Sequence, residues 1–163
     1  MNDGTDIVIR PIRPEDAEIE QAFIRGLSAE SKYFRFMNSI HELSLEMLVR
    51  FTQIDYHNEM ALVAIYKGSD GEEEIGVARY MTNPDKKTCE FAIVVSDQWQ
   101  GRGIARLLMQ KLIEIARNRG LEIMEGQVLA NNFRMLELML SLNFQINNDP
   151  EDPGIKLAVT RLN

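Results

Sequence analysis

A glycine-containing turn that opens a long amphipathic segment is the part of this sequence best suited to chemistry. The turn reads Gln100-Gly101-Arg102-Gly103-Ile104-Ala105, and glycines suit a sharp turn or a close approach to a ligand. If a helix begins here, the backbone N–H groups of residues 102–107 lack helical partners and form an anion site. Arg102 and Arg106 add positive charge, so pyrophosphate is the expected ligand. The alternative is a glycine-initiated helix with solvated arginines.

Two other phosphate-binding motifs do not fit this turn. A P-loop ends in Gly-Lys-Ser/Thr, which is absent here. A dinucleotide fingerprint needs a third glycine, and Arg106 stands at that position. The fingerprint also belongs early in a parallel sheet. Here the turn follows apolar segments joined by short turns, which are typical of an antiparallel meander.

Hydrophobic periodicity and turn residues predict the elements that must position this turn. Predicted strands are residues 7–12, 60–66, 74–82, 88–95, 122–129, 144–146 and 155–160. Predicted helices are residues 15–25, a short helix capped by Ser28 (with Ser31 as the alternative cap), a third beginning at Ser44, then 101–119 and 132–142. The pattern indicates one α/β domain over residues 1–163.

Composition and charge exclude several classes of protein. A net charge of -7 gives no indication of a nucleic-acid partner. The one cysteine, Cys89, and the two histidines show no metal-ligand spacing, so we expect no metal, and Cys89 is expected to be a small core residue. No run approaches the ~20 apolar residues that span a bilayer. Met1 to Gly4 lack signal-peptide features, so we expect no membrane partner and a cytoplasmic location.

The turn and its surroundings resemble the N-acetyltransferases of the GNAT superfamily. Gln100-x-x-Gly103-x-Ala105, after a strand and at the start of a helix, is similar to the family's acyl-coenzyme A signature. The segment 132–144, which begins with Asn132, is similar to its fourth-helix motif. The order of elements resembles this fold over essentially the whole chain. Segments 27–36 and 89–91, and Asp55-Tyr56 with Glu59-Met60-Ala61, look like the Pat-type protein lysine acetyltransferases.

This resemblance implies the fold, the co-substrate and the cofactor site. The fold is a central mixed, mostly antiparallel sheet of six or seven strands flanked by helices. The co-substrate is acetyl-CoA, with no metal. Amides of residues 102–106 would grip the pyrophosphate, and the strand end would bind pantetheine and donate an N–H to the thioester oxygen. The implied cofactor-binding residues are Val94, Val95, Gln100, Gly101, Arg102, Gly103, Ile104, Ala105, Arg106 and Asn132.

Acylation of an amine at neutral pH needs a general base, because a lysine ammonium has a pKa of about 10.4. Glu90 is the candidate, since it is the only charged residue in the run 88–95. Burial beside Phe91 and Ala92 would raise its pKa, and the Pat-type resemblance places the family's catalytic glutamate here. The alternative is a partly exposed strand glutamate. Asp55 and Glu59 are the candidates for binding the amine substrate.

Three functions remain open at this stage: acylation of protein lysines, acylation of a small amine or amino acid, and a non-catalytic acyl-CoA sensor. Many members of the GNAT superfamily, which this sequence resembles, carry a tyrosine in the fourth helix that could protonate the leaving thiolate. Met139 occupies that position here, so the general acid is unassigned, with Ser141 or water as candidates. Strand edges near the C-terminus are compatible with a monomer or a homodimer.

Overall fold

The computed structural model of the chain describes residues 5–163 and has one seven-stranded sheet with helices on both faces. The strands are β1 (Ile7–Pro11), β2 (Glu59–Gly68), β3 (Gly71–Thr82), β4 (Thr88–Val95), β5 (Ile123–Leu129), β6 (Gln145–Asn148) and β7 (Ile155–Arg161). The helices are α1 (Ala17–Gly26), α2 (Ala29–Phe36), α3 (Leu45–Thr52), α4 (Ile104–Asn118) and α5 (Phe133–Ser141). Met1 to Gly4, on which the signal-peptide prediction rests, lie outside the described residues.

The strand order is β1-β2-β3-β4-β5-β7-β6, and every neighbouring pair is antiparallel except β4 and β5. The predicted mixed, mostly antiparallel sheet is therefore confirmed. The parallel pair requires a crossover, which α4 supplies. The β4–β5 register runs only from Thr88↔Ile123 to Glu90↔Glu125. Beyond Glu90, β4 pairs with β3 alone and β5 with β7 alone, so the sheet opens into a wedge.

Each face of the sheet carries its own hydrophobic core. The buried side chains of α4 recur at helical spacing and pack on one face, together with Met139 of α5. These α4 residues are Ile104, Leu108, Met109, Leu112 and Ala116. Phe23 and Ile24 of α1 pack on the opposite face, with partly buried residues of α3. The sheet, with its wedge, is therefore packed on both faces.

The helix boundaries follow local chemistry, with one clear difference from prediction. Ser28 and Ser44 cap α2 and α3 as predicted, since each hydroxyl accepts a hydrogen bond from the N–H three residues later. The prediction that α4 begins at residue 101 is wrong. Gly101 and Gly103 have φ values of 78° and 85°, so they form a left-handed turn and the helix begins at Ile104.

Replacing Gly126 by alanine tests the packing at the wedge. A Cβ at Gly126 would stand 2.5 Å from Cε1 of Phe91, whose ring also packs edge-on against Phe144 at 5.4 Å. We expect Gly126→Ala to lower the free energy of unfolding by about 1–3 kcal/mol, because an overpacked core must strain. Urea denaturation measures this. Gly26→Ala is the control: it meets nothing within 4 Å and should raise stability by up to about 1 kcal/mol. Equal stabilities would contradict the expected clash.

The ion pair between Arg10 and Asp16 predicts a pH-dependent stability. Arg10 donates two hydrogen bonds of 2.7 and 2.8 Å to the Asp16 carboxylate, which joins β1 to the turn before α1. Burial acts to raise the pKa of Asp16, but the bonds from Arg10 and the Arg13 N–H outweigh it, so the pKa lies below its ordinary 3.8. The stabilisation is therefore complete above pH 3.8 and is lost as the pH falls through the lowered value.

We expect Asp16→Asn to lower the free energy of unfolding by about 1–3 kcal/mol at pH 7. The difference from the unchanged protein should shrink as the pH falls below 3.8, the ordinary pKa of this group. Urea unfolding from pH 7 to pH 3 measures it. Asp70→Asn, at an exposed turn residue, should show little difference at any pH. If Asp16→Asn lowers the free energy of unfolding as much at pH 3 as at pH 7, the ionised Asp16 carboxylate is not the source of the stabilisation.

Candidate active site

A cleft of about 1160 Å³ occupies the wedge between β4 and β5. Its walls come from α2, β4, the turn before α4, the first turn of α4, the end of β5 and α5. The predicted cofactor residues that line it are Val94, Val95, Gln100, Gly101, Gly103, Ile104, Ala105, Arg106 and Asn132. Arg102 does not line the cleft, because its guanidinium lies over the ring of Trp99 at 4.7 Å.

The turn before α4 presents backbone N–H groups that have no protein acceptor. Gly103 is the N-cap of α4, and no side chain caps the helix. The first hydrogen bond of the helix runs from Leu107 N to Gly103 O at 3.1 Å. Within the described part of the chain, the N–H groups of residues 102–106 donate to nothing. The predicted set of free amides is therefore wrong for Leu107, because the helix begins later than expected.

Gln100 connects three walls of the cleft through its side-chain amide. Its Nε2 donates to Val95 O at 3.0 Å and to Ser31 Oγ at 3.4 Å. Its Oε1 accepts from Nη1 of Arg134 at 3.2 Å. The side chain thus joins the end of β4, helix α2 and helix α5, and it holds the turn in place.

Asp97 is a supporting residue that sequence reasoning missed. Its carboxylate accepts from Ser28 N at 3.0 Å, Ser28 Oγ at 2.8 Å and Ser31 Oγ at 2.9 Å. Burial acts to raise the pKa of Asp97, but these hydrogen bonds outweigh burial and lower it below its ordinary value. The contact fixes the start of α2 against the cleft. No local signal could have found it, because the partners are 66 and 69 residues apart.

The start of α5 forms the wall opposite α2. Asn132 is the N-cap of α5, and its Oδ1 accepts from Met135 N at 3.4 Å. Arg106 donates to Ser141 Oγ at 2.7 Å, which in turn donates to Leu138 O at 2.7 Å. Ser141, a candidate acid, therefore has both hydrogen-bonding roles in use. Met139 is fully buried in the core, away from the cleft.

Glu90 lies beside the cleft and is exposed, so the expectation of a buried carboxyl is wrong. It shares a row across the sheet with its registered neighbours, Glu59 through Met81 on one side and Glu125 on the other. Met81 is 47% exposed, which shows that this end of the sheet face is uncovered. Glu90 directly precedes Phe91 and Ala92, which line the cleft. Sequence reasoning missed Glu125, because only the register reveals it.

Asp55 and Glu59 lie outside the cleft: Asp55 is in the turn that leads into β2, and Glu59 is the first residue of β2. Hydrogen bonds from His57 N and from Asn58 Nδ2, both 3.0 Å, hold the Asp55 carboxylate and lower its pKa. Glu59 Oε2 accepts from Asp55 N at 3.3 Å. The structure thus places Glu59 in the same row as Glu90. The Asp55 carboxylate, in contrast, is held by hydrogen bonds within its own turn.

The remaining chemistry of the site is simple. Cys89 is fully buried, as predicted, and burial raises the pKa of its thiol to about 12, so it stays protonated. Among residues 5–163, no group of three or more His, Cys, Asp or Glu side chains is arranged to hold a metal ion. Over the same residues, no helix is both long and apolar enough to cross a bilayer.

Comparisons with known proteins agree with this geometry. The sequence profile of the Acetyltransferase (GNAT) family matches residues 27–144. An acetyltransferase of Pseudomonas aeruginosa, PA5475, is 39% identical over 153 residues, 93% of this chain and 82% of that protein. Acetyltransferase Pat of Mycolicibacterium smegmatis is 31% identical over 137 residues, 83% of this chain, but the match spans only 40% of that longer protein.

The fold has a close counterpart among solved structures. The crystal structure of the GNAT domain of S. lividans PAT superposes with a TM-score of 0.84 at 27% identity, and the match covers 96% of both chains. The family profile spans most of the chain and includes the cleft, the turn and α5. This chain is therefore an acyltransferase that belongs to the acetyltransferase (GNAT) family.

Proposed function

We propose that this chain, as one domain in the cytoplasm, transfers the acetyl group of acetyl-CoA to a primary amine, above all a protein lysine side chain. Members of its family use acetyl-CoA and an amine acceptor. The observation that carries the proposal is the row of free amides at residues 102–106, which opens into the cleft between the separated strands. Such a helix start suits a diphosphate.

The cofactor residues divide by position along the cleft. The amides of the turn and Arg106 hold the diphosphate, where the helix dipole adds to their attraction. The pantetheine arm lies against Val94 and Val95, because β4 has no partner on its β5 side there. Acyl transfer places negative charge on the thioester oxygen, and a fixed backbone N–H of this strand end stabilises that charge.

The reaction we propose is a direct attack. A lysine ammonium first gives one proton to Glu90, directly or through water. The neutral amine nitrogen then attacks the thioester carbonyl carbon, the C–N bond forms, and the C–S bond breaks with release of the CoA thiolate. The second proton that the nitrogen loses passes through water to the thiolate, so no side chain must act as the acid.

The face around Glu90 suits a cationic acceptor. Glu59, Glu90 and Glu125 lie in one row, and the neighbouring Met81 leaves this face open to solvent. An open face admits a lysine side chain that projects from a folded protein. The likeness to Acetyltransferase Pat and to the GNAT domain of S. lividans PAT also supports a protein lysine as the acceptor.

Thiol release from acetyl-CoA tests the proposal directly. A panel of lysine-containing peptides and proteins, free amino acids and small amines should release CoA, with the highest kcat/KM for a lysine in a peptide or protein. Binding of CoA without release for any amine would instead support a non-catalytic acyl-CoA sensor.

Replacing Gly103 by alanine tests the diphosphate site. Gly103 has φ 85°, a conformation that costs an L-residue about 1–2 kcal/mol. The strained turn should shift its free amides, and we expect at least about tenfold weaker binding of CoA, or 1.4 kcal/mol. Calorimetric titration with CoA measures the affinity.

Gly120→Ala is the matched control for this change. Gly120 also has φ 85° with nothing within 4 Å, but it follows the far end of α4 and does not line the cleft. Both variants should lose similar stability, and only Gly103→Ala should lose affinity. Equal affinities in the two variants would place the diphosphate elsewhere.

Replacing Glu90 by glutamine tests the general base. Proton transfer by a positioned group contributes about 100-fold or more, so kcat/KM of Glu90→Gln at pH 7 should fall by about that factor. The loss should shrink toward pH 10, because a lysine amine then loses its proton without help. Steady-state rates from pH 6 to pH 10 measure both effects.

Glu125→Gln removes the adjacent carboxylate and is the matched variant. It should lower kcat/KM by no more than about tenfold, since it changes only the local potential. A pH-independent loss in Glu90→Gln, or a larger loss in Glu125→Gln, would remove Glu90 from the proton-transfer step.

A further inference from the structure

Arg35 places an unpaired guanidinium in the wall of the cleft. It lies in α2 and is only partly exposed. Its guanidinium stacks over Phe36 at 4.7 Å and lies 5.8 Å from the ring of Phe51. Within residues 5–163 it has these aromatic contacts but no hydrogen bond and no ion pair. A guanidinium has five N–H donors, and leaving them unpaired away from water is costly.

The other arginines that line the cleft differ from Arg35 in both respects. Arg106 donates to Ser141 and Arg134 donates to Gln100. Both also lie at the helix starts that flank the proposed diphosphate site, in α4 and α5. The proposed diphosphate site therefore has its own basic residues, Arg106 and Arg134, and Arg35 is available to bind a different anionic group.

The buried carboxyls behind Arg35 form no hydrogen bond or ion pair with it within residues 5–163. Arg79 stacks on the same Phe51 ring at 4.4 Å, and its Nη2 lies 3.9 Å from Oε2 of Glu20. Glu20 and Glu74 are buried, at 0% and 2% exposure. Burial, and then the neighbouring Glu20, raises the pKa of Glu74 well above its ordinary value. All four oxygens of these two carboxyls lack a hydrogen-bond partner within residues 5–163, so neither carboxyl bonds to Arg35.

Arg35 remains a cation at neutral pH. Burial first, and then the like charge of Arg79, lowers its pKa to about 10. That value still lies well above neutral pH, so the side chain keeps its proton. Arg35 therefore presents a positive charge to the cleft.

Arg35 lies near the end of the cleft formed by Ala92, Val94 and Val95, which we call the reaction end. Arg79, which shares the Phe51 ring with it, is registered with Ala92 on β4. Ala92 lines the cleft two residues after Glu90. The proposed thioester site at Val94 and Val95 follows directly. Arg35 is thus on the side where the acyl group and the amine meet.

We infer that Arg35 is a specificity residue that binds a carboxylate of the substrate. This inference rests on the proposed transferase function. The flat fork of a guanidinium matches a carboxylate with two parallel hydrogen bonds, and such a ligand supplies the acceptors that the protein does not. The carboxylate has two possible sources: the α-carboxylate of a free amino-acid acceptor, or the terminal carboxylate of a dicarboxylic acyl group on CoA.

Two matched substrate pairs distinguish these sources. The first is L-methionine against L-methioninamide, each with acetyl-CoA. The second is succinyl-CoA against acetyl-CoA, each with the same lysine peptide. For one pair, the unchanged protein should prefer the carboxylate member by about 10- to 100-fold in kcat/KM. In Arg35→Gln this preference should disappear, while kcat/KM for the uncharged member changes by less than about threefold.

Two further variants separate the effect of the guanidinium shape from the effect of positive charge. Arg35→Lys keeps the charge without the fork and should keep only part of the preference. Arg50→Gln, at an exposed residue of α3, removes one positive charge outside the cleft and should keep all of it. Circular dichroism and thermal melting confirm that each variant is folded.

The outcomes separate this inference from the proposed function. No preference in either pair, or a preference that survives in Arg35→Gln, would overturn the carboxylate site and leave the transferase intact. No thiol release with any acceptor would contradict the transferase itself. In that case, calorimetry compares the binding of L-methionine with that of L-methioninamide, and the binding of succinyl-CoA with that of acetyl-CoA. Binding of one carboxylate member that is about tenfold tighter, and that loses this advantage in Arg35→Gln, supports the inference. Equal binding within both pairs overturns it.

Discussion

The parting of β4 from β5 after three registered residues is the constraint on which the rest of the molecule depends. Had the pairing continued, the backbone edge of β4 would be used within the sheet and the cleft would be filled. The crowding of Phe91 over Gly126 lies at the point where the strands diverge. Because α4 must cross from one strand to the other, its start falls at the open end of the wedge.

A second set of contacts fixes the walls around this wedge. Asp97 and Gln100 lie in the segment after β4 and bind Ser31, so hydrogen bonds join this segment to α2. The amide groups at the start of α4 are thus presented by a turn whose position is set from two sides. Rigid placement matters, because a preorganised donor stabilises charge without having to reorganise when the charge develops.

Opposite charges meet at the reaction end. The row with the exposed Glu90 and the half-buried Glu125 carries negative charge, whereas Arg35 presents a cation to the cleft from α2. The row is open to water and therefore attracts an amine only weakly. The guanidinium is half-buried, where an interaction with a charged partner is stronger. In the reaction that we propose, the two features would bind different parts of the substrates.

Local chemistry, readable from the sequence alone, determined the turn, the serine caps of α2 and α3 and the identity of the strands. Glycines at 101 and 103 and hydroxyls at 28 and 44 act on backbone atoms within a few residues of themselves. Tertiary structure alone decided that Glu90 is exposed, that Asp97 binds Ser28, and that Arg35 has no hydrogen bond or ion pair within residues 5–163. Those properties depend on which distant residues pack nearby, and no local pattern of residue types encodes that arrangement.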